Sequence, residues 1–258
     1  MPSIRAGNPG LAAAPGHLLA QALSGLTGVV RVVLRQPQVE LPGAARKLAC
    51  LTVEYFFYCR GQPGTEALLE ELAEAHWSFM DGYAGAMIAR GPTLTPDRTT
   101  WTGSMHMVDL PDAQAARVFA FQEPFYRAGV YGEVLVRRWR NVLGRTMWDY
   151  PAEPGDDRRF LVIGRGRPGV EAARQALEPA QRRWFGEPGH RDGFILRGPL
   201  LSDDGAGWAG SALLVQLGDR AAVEAMLAGA PYVQAGLYAS VEIHDWQFGG
   251  RQPHAQGR

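Results

Sequence analysis

Histidines and cysteines are the side chains of this chain best suited to chemistry near neutral pH. His76 stands out because it lies in the run "TEALLEELAEAHWSFM", in which apolar residues recur at helical spacing. A neutral imidazole, with an ordinary pKa of ~6.5, can accept a proton at neutral pH. Taken alone, a helical histidine of this kind is more often a packed or surface residue with a local hydrogen bond.

The remaining candidates do not form a recognisable metal or phosphate site. His106 and His244 lie on predicted strands and have no partner at metal-ligand spacing. Cys50 and Cys59 fall near one predicted strand, which indicates reduced thiols and neither a disulfide framework nor a metal pattern. The glycine-rich "GRGRPG" lacks the glycine spacing and the lysine of phosphate-binding loops. We therefore expect no metal and no organic cofactor.

Composition narrows the class of protein. The 258 residues carry 26 basic and 26 acidic side chains, so no excess of positive charge points to nucleic acid. The apolar run "GVVRVVL" is broken by Arg31, and no segment reaches the length of a membrane span. These features predict a globular, cytoplasmic protein with a small-molecule partner, without nucleic-acid or membrane partners.

An internal repeat determines which elements position these side chains. "GPTLTPDRTTWTGS" begins at Gly91, and "GPLLSDDGAGWAGS" begins at Gly198, 107 residues later. The same offset aligns the two halves without a gap from His76 to Trp139, and upstream "CRGQPG" faces "GRGRPG" after a two-residue shift. A period of this length is the size of a small domain, so the chain contains a tandem duplication.

Each copy predicts the element order β-α-β-β-α-β of the ferredoxin-like motif. In the first copy, the strand "LTVEYFFYC" precedes the helix bearing His76, and Pro111 and Asp112 begin a second helix. The fold class is therefore α+β, with two ferredoxin-like domains in tandem. The predicted boundaries are a flexible N-terminal extension at 1–48, a first domain at 49–141, a linker at 142–157, a second domain at 158–250 and a tail at 251–258.

The order of short motifs resembles the YCII-related (YciI-like) family of the dimeric α+β barrel superfamily. These motifs are a helical histidine, "GP", "GS" opening a strand, an acid-Pro-aromatic triplet, "AG[VL]Y" and a closing strand. The resemblance covers residues 50–148 strongly and 158–250 clearly. It implies that the two domains form an intramolecular dimeric α+β barrel, a pseudo-dimer within one chain. Further self-association stays open.

The resemblance also implies a site in the first domain. It places the family's histidine at His76, its acid at Glu123 within "EPF" where the family has "D-P-F", and the serine of "GS" at Ser104. The implied chemistry is cofactor-independent general acid–base catalysis on an aromatic or anionic small molecule, either proton transfer or elimination such as dehydrochlorination of a hydroxylated aromatic. Glutamate keeps the charge of aspartate but lengthens the arm, which leaves the hydrogen-bond geometry open.

The second domain lacks this pair. At the offset of 107, His76 aligns with Arg183 and Glu123 aligns with Ala230. We therefore expect a structural half with a degenerate site, in which Arg183 offers a positive charge to an anionic ligand. Ser104 survives as Ser211 in this half, which favours a structural role for that serine.

Two alternatives to an enzyme with this dyad stay open. The first is a non-catalytic small-ligand-binding or accessory protein on the same scaffold. The second is a haem-handling or monooxygenase relative, which is weaker because the alignment supplies no axial ligand. The joint loss of histidine and acid from the second domain favours the enzyme, since a protein that only binds ligands need not lose both.

Overall fold

The computed structural model describes residues 52–151 and 158–250. The predicted N-terminal extension, Cys50, part of the predicted linker and the C-terminal tail lie outside the described residues. No helix in the described ranges is long and apolar enough to span a bilayer.

The first half follows the predicted element order, with one short helix added. Its strands are β1 (Val53–Gly61), β2 (Met87–Leu94), β3 (Trp101–Leu110) and β4 (Tyr131–Trp139). Its helices are α1 (Glu66–Asp81), α2 (Ala113–Phe121) and the four-residue α3 (Pro124–Arg127), with a 3₁₀ turn at Ala84–Ala86. The second half repeats the scheme after a 3₁₀ turn at Met147–Asp149.

The second half consists of four strands and four helices. The strands are β5 (Arg158–Gly166), β6 (Phe194–Leu201), β7 (Trp208–Leu217) and β8 (Tyr238–Trp246). The helices are α4 (Glu171–Phe185), α5 (Pro188–Arg191), α6 (Arg220–Ala228) and α7 (Pro231–Gln234). The predicted α+β class with two ferredoxin-like units is confirmed.

The eight strands close into one antiparallel barrel in the order β1-β3-β2-β8-β5-β7-β6-β4. Within each half, the first strand pairs with the third and fourth strands, as β1 pairs with β3 and β4. Two short seams join the halves, where Thr93 and Leu94 of β2 face β8, and Arg138 and Trp139 of β4 face β6. The predicted intramolecular barrel is therefore confirmed.

Both faces of each central strand are covered, which explains why β1 and β5 read as unbroken apolar runs. One apolar core fills the barrel and contains residues of both halves, such as Phe56, Trp139, Leu161 and Trp246. Three further apolar clusters of the described residues lie between strands and helices of the same half, one in the second half and two in the first. Helices on one face of a sheet leave the other face to be buried, and here the two sheets bury those faces against each other.

A short segment after the last strand of each half crosses onto the other half. Beyond β8, the N–H groups of Gln247 and Gly249 donate to carbonyl groups of β2, at 3.3 and 3.0 Å. A Cβ atom at Gly91 would lie 2.0 Å from the Gln247 carbonyl oxygen, so only glycine permits this approach. Gly198 has the same role, since its Cβ would lie 1.8 Å from the Arg140 carbonyl oxygen. The glycine that begins each of the two repeated motifs, Gly91 and Gly198, thus allows the segment after the last strand of one half to cross the other half.

Candidate active site in the first half

His76 lies on the buried face of α1, four residues before Met80, the other buried residue of that helix. Its imidazole ring lies parallel to the Phe125 ring, with 4.2 Å between the centroids and 6° between the planes. With only 8% of its surface exposed, His76 is fixed between the helix and the sheet.

Glu123 begins the short helix α3, between α2 and β4. Pro124 follows at the first helical position, where a proline costs no backbone hydrogen bond. The carboxylate accepts hydrogen bonds from the backbone N–H groups of Phe125 and Tyr126, at 3.1 and 2.9 Å. Glu123 is 2% exposed, so the helix end supplies the partners that a buried carboxylate requires.

The structure brings His76 and Glu123 into direct contact. His76 Nδ1 and Glu123 Oε1 are 2.5 Å apart, so the longer glutamate arm does reach the imidazole. An ionised carboxylate only accepts hydrogen bonds, and Nδ1 must therefore carry the proton when Glu123 is charged. The other ring nitrogen, Nε2, is then left to take up a proton. The catalytic role of the pair stays a prediction.

A cavity of about 360 Å³ adjoins this pair. Its walls combine large apolar rings with a few polar groups, which is typical of a small-molecule site. It is lined by Leu69, Glu70, Ala73, His76, Trp77 and Met80 of α1, by Arg90, Gly91 and Pro92 of β2, by Trp101, Ser104 and His106 of β3, and by Phe125, Gly249 and Gly250. The last two residues come from the second half, so both halves build the cavity.

Ser104 lies on β3, is 6% exposed and lines the same cavity. Among the described residues, no hydrogen bond joins its hydroxyl to His76 or Glu123. The structure thus places the third predicted residue beside the dyad without including it in a relay.

Two further residues line the cavity: Arg90, which the sequence analysis did not single out, and His106, which it considered only as a metal ligand. They face each other across the β2–β3 ladder, and the His106 and His76 rings lie 6.0 Å apart. Burial lowers the pKa of His106 well below its ordinary value, and the nearby charges of His76 and Arg90 lower it further. His106 is therefore a neutral imidazole at neutral pH. Arg90 is identical in both copies, so comparing the copies could not single it out.

Two further groups near Glu123 stay protonated. Burial raises the pKa of the Cys59 thiol far above its usual range, and the charge of Glu123 adds to the effect. Burial likewise raises the pKa of the Tyr131 hydroxyl well above its ordinary value, with smaller contributions from Cys59 and Glu123. Neither group is a ready nucleophile at neutral pH, since the reactive form of each is the anion.

The counterpart of His76 in the second half is Gln181, and the alignment with Arg183 was wrong. Gln181 is buried, and its side-chain oxygen accepts a hydrogen bond from the Tyr232 N–H at 3.0 Å. Tyr232 corresponds to Phe125, so Gln181 satisfies the N–H group that Glu123 satisfies in the first half. Arg183 is exposed and lines no described cavity. The two-residue shift between the halves lies after the position of His76 in the helix and not before it, so Gln181, two residues earlier than Arg183, occupies that position.

The second half has a much smaller cavity that only partly overlaps the position of the first. It measures about 20 Å³, and its lining includes Gln181, Phe185, Ser211 and Leu213, the counterparts of four residues of the first cavity. The Tyr238 ring lies over Gly164, where a Cβ atom would meet it at 2.5 Å, and its hydroxyl is 2.9 Å from the Ser211 hydroxyl. The predicted degeneracy of this half thus coincides with a much smaller cavity beside Gln181.

Comparison with known proteins matches both halves to one family. Residues 53–140 and 159–247 each match the sequence model of the YCII-related domain. No curated protein sequence matches the chain.

Several solved structures resemble the chain. One is 5-chloro-2-hydroxyhydroquinone dehydrochlorinase from Burkholderia phenoliruptrix AC1100 in complex with 2,5-dihydroxybenzoquinone, at 22% identity over 36% of this chain and 98% of that chain, with a TM-score of 0.33. A variant of chlorite dismutase from Candidatus Nitrospira defluvii is 12% identical over 76% of this chain and 91% of that chain, with a TM-score of 0.50. At this identity, the second likeness establishes the fold alone.

Proposed function

The chain belongs to the YCII-related domain family through both of its halves, and on that premise we propose that its first half is a small-molecule enzyme. The proposed catalysts are His76 and Glu123, which act as a general acid–base pair. The observation that carries the proposal is the 2.5 Å contact between Nδ1 and the carboxylate beside a cavity of substrate size.

In this proposal, Glu123 orients the base. Two backbone N–H groups hold the carboxylate, and the carboxylate holds the imidazole in the tautomer that leaves Nε2 without a proton. When Nε2 takes a proton from substrate, the adjacent negative charge stabilises the imidazolium that forms. Because Phe125 packs flat against the ring, little reorientation accompanies the transfer. A positioned base of this kind contributes ~10²–10⁴-fold to rate.

The reaction class that fits is proton transfer or elimination. In dehydrochlorination of a hydroxylated aromatic, a proton first moves from a hydroxyl group to the chlorine-bearing ring carbon, which gives the keto tautomer with a tetrahedral C–Cl carbon. The base then takes a second hydroxyl proton, the electron pair left behind forms a new C=O bond, and chloride leaves with the electrons of the C–Cl bond. The sum is loss of HCl, and no oxidant or reductant is needed. The family resemblance suggests this substrate class, and the apolar walls at Trp77, Trp101 and Phe125 suit a planar ring.

Ser104 is the proposed contact for a substrate oxygen. Ser104 and its counterpart Ser211 each lie beside a tyrosine hydroxyl, that of Tyr131 and that of Tyr238, and Ser104 also lines the open cavity. A hydroxyl can donate to an oxygen on which charge develops during proton transfer. This role is smaller than that of the dyad, because Ser104 contacts neither member of it.

A panel of halogenated phenols and quinols tests the proposal. Wild type is expected to release chloride or exchange a substrate proton with at least one member, and His76→Ala is expected to lose ~10²–10⁴-fold of that rate. His190→Ala is the control, since His190 lies in the second half and donates or accepts only locally, near the Trp184 carbonyl. Equal turnover by wild type and His76→Ala contradicts the proposed role. Binding without turnover across the panel favours the ligand-binding alternative.

A further inference from the structure

Arg90 is the cationic side chain of the cavity. It lies in β2 opposite His106 of β3, and directly opposite residues on antiparallel strands carry side chains within ~4.5–5.5 Å at Cβ. Its Nη1 donates to Asp81 at 3.2 Å, which holds one end of the guanidinium at the exposed end of α1. The rest of the planar head lies along the cavity wall.

Two buried nitrogens of this wall have no hydrogen-bond partner among the described residues. They are Nε of Arg90 and Nδ1 of His106. Buried donors and acceptors are almost always paired in native proteins, so two adjacent unpaired nitrogens call for an explanation. Neither nitrogen is open to solvent in this structure, so a ligand in the cavity would meet the part of the guanidinium that lines the cavity wall. A guanidinium stays charged in proteins and presents only donors, and a ligand oxygen is an acceptor that such a group can bind.

The second half gives the corresponding arginine different surroundings. Arg197, the counterpart of Arg90, lies over the Phe185 ring, with its guanidinium carbon 4.3 Å from the ring centroid. The aromatic ring therefore covers the cation. Arg90 has no aromatic cover of this kind among the described residues.

Glycine in the crossing segment keeps space for the Arg90 head. A Cβ atom at Gly250 would lie 2.6–2.9 Å from three atoms of the guanidinium, and the φ angle of Gly250 is +113°. The segment that crosses onto the second half has Val142 and Leu143 at the corresponding positions, and Leu143 packs into that half's core. The paired glycines thus leave open, beside Arg90, volume that the Leu143 side chain fills in the other half.

We propose that Arg90 binds an ionised oxygen of the substrate, and that the molecule held in this cavity is an aromatic anion, a phenolate or a carboxylate. Arg90 and the neutral His106 then position that oxygen while the ring lies between the aromatic walls. The inference rests on the proposed function, because it assigns the substrate's charge and its contact in the same cavity.

Binding of 4-nitrophenol tests the proposal, because the colour of this probe reports its ionisation. In wild type, the bound probe is expected to ionise at least one pH unit lower than the free probe, which corresponds to about tenfold tighter binding of phenolate than of phenol. Arg90→Gln is expected to abolish this preference and to weaken binding of 4-nitrobenzoate about tenfold or more. Binding of the neutral 4-nitroanisole should be unchanged. Tighter binding of 4-nitrophenolate by wild type indicates a phenolate ligand, and tighter binding of 4-nitrobenzoate indicates a carboxylate ligand.

Two further variants keep the test decisive if Arg90→Gln folds poorly. Gly250→Ala places a methyl group on the guanidinium and should reduce the phenolate preference while sparing 4-nitroanisole. Arg197→Gln, at the matched position of the second half, should leave it intact. The proposal is overturned if wild type binds neither anion, if the bound probe ionises like the free probe, or if Arg90→Gln and Gly250→Ala both behave like wild type.

The same measurement separates this inference from the proposed function. His76→Gln should retain the phenolate preference, because its cause is Arg90. If His76→Gln also retains full turnover, the proposed acid–base role fails and the Arg90 contact stands. If turnover is lost in His76→Gln but the preference persists in Arg90→Gln, only the Arg90 inference fails.

Discussion

The two halves of this protein share one scaffold and differ in one pocket. Each has the same strand order, the same Gly-Pro and Gly-Ser positions and the same crossing segment from its partner. Yet the first half encloses about 360 Å³ beside His76 and Glu123, and the second about 20 Å³ beside Gln181. In both halves, a buried side chain accepts a hydrogen bond from the start of the short helix, α3 or α7. The comparison shows that this side chain can be a carboxylate or an amide.

Glu123→Gln should have the largest effect of the changes that probe this difference. The amide still fits the helix end, but its NH₂ group facing Nδ1 favours the tautomer that protonates Nε2, so the base is lost. By analogy with better-known dyads, we expect kcat to fall by ~10³–10⁴. Steady-state kinetics on a substrate turned over by wild type measures it. Gln181→Ala, which removes the corresponding cap in the second half, should change kcat less than twofold, and an equal loss would erase the asymmetry.

Two tryptophans compare the packing of the halves. Trp184 is 5% exposed and packs in the second half's core, whereas Trp77 is 41% exposed at the cavity of the first half. Trp184→Ala should lower the free energy of unfolding by ~3–5 kcal/mol, because it removes a buried ring and leaves a void. Trp77→Ala should cost less than about 1 kcal/mol. Urea denaturation of both variants measures the two changes in the free energy of unfolding. Similar losses of stability would mean that Trp77 is packed as tightly as Trp184 and that the first cavity is not open.

His106→Leu installs the residue that the second half has at this position, Leu213. Burial holds the pKa of His106 in the folded state below its unfolded value of ~6.5, so between the two values the unfolded chain binds more protons. Stability contributed by the neutral histidine is therefore present above pH ~6.5 and is lost as pH falls, by up to ~1.4 kcal/mol per pH unit.

The leucine variant should lack this part of the acid dependence. Denaturant unfolding between pH 5 and 8 gives the slope of the free energy of unfolding against pH for wild type and for His106→Leu. The two slopes should differ by on the order of one proton. Parallel slopes would show that His106 titrates normally. This effect is the smallest of the three, because it concerns one proton at acid pH.

The sequence predicted the strands and the duplication well because burial on both faces makes β1 and β5 into continuous apolar runs. It did not predict that Glu123 caps a short helix, although Pro124 was a signal for a helix start. The contact between His76 and Glu123 came from the family resemblance, since 47 residues separate them and no local rule joins them.

Three features of the site were beyond the sequence for physical reasons. Gln181 was missed because an alignment does not show which helical residue faces the sheet, and the two-residue shift had been placed too early. Arg90 was missed because it is identical to Arg197, and only their surroundings differ. Gly249 and Gly250 lie more than 150 residues from Arg90, and only the crossing of the halves brings them to the cavity.

The crossing segments have a consequence for symmetry. In a dimer of identical chains, every substitution appears twice, so a glycine that opens one pocket opens both, and a leucine that fills one fills both. Here the segment that covers the first pocket ends in Gly249 and Gly250, while the segment that covers the second carries Val142 and Leu143. Joining the copies in one chain makes the two surfaces independent. One half can then keep space for a ligand while the other uses the same space for packing.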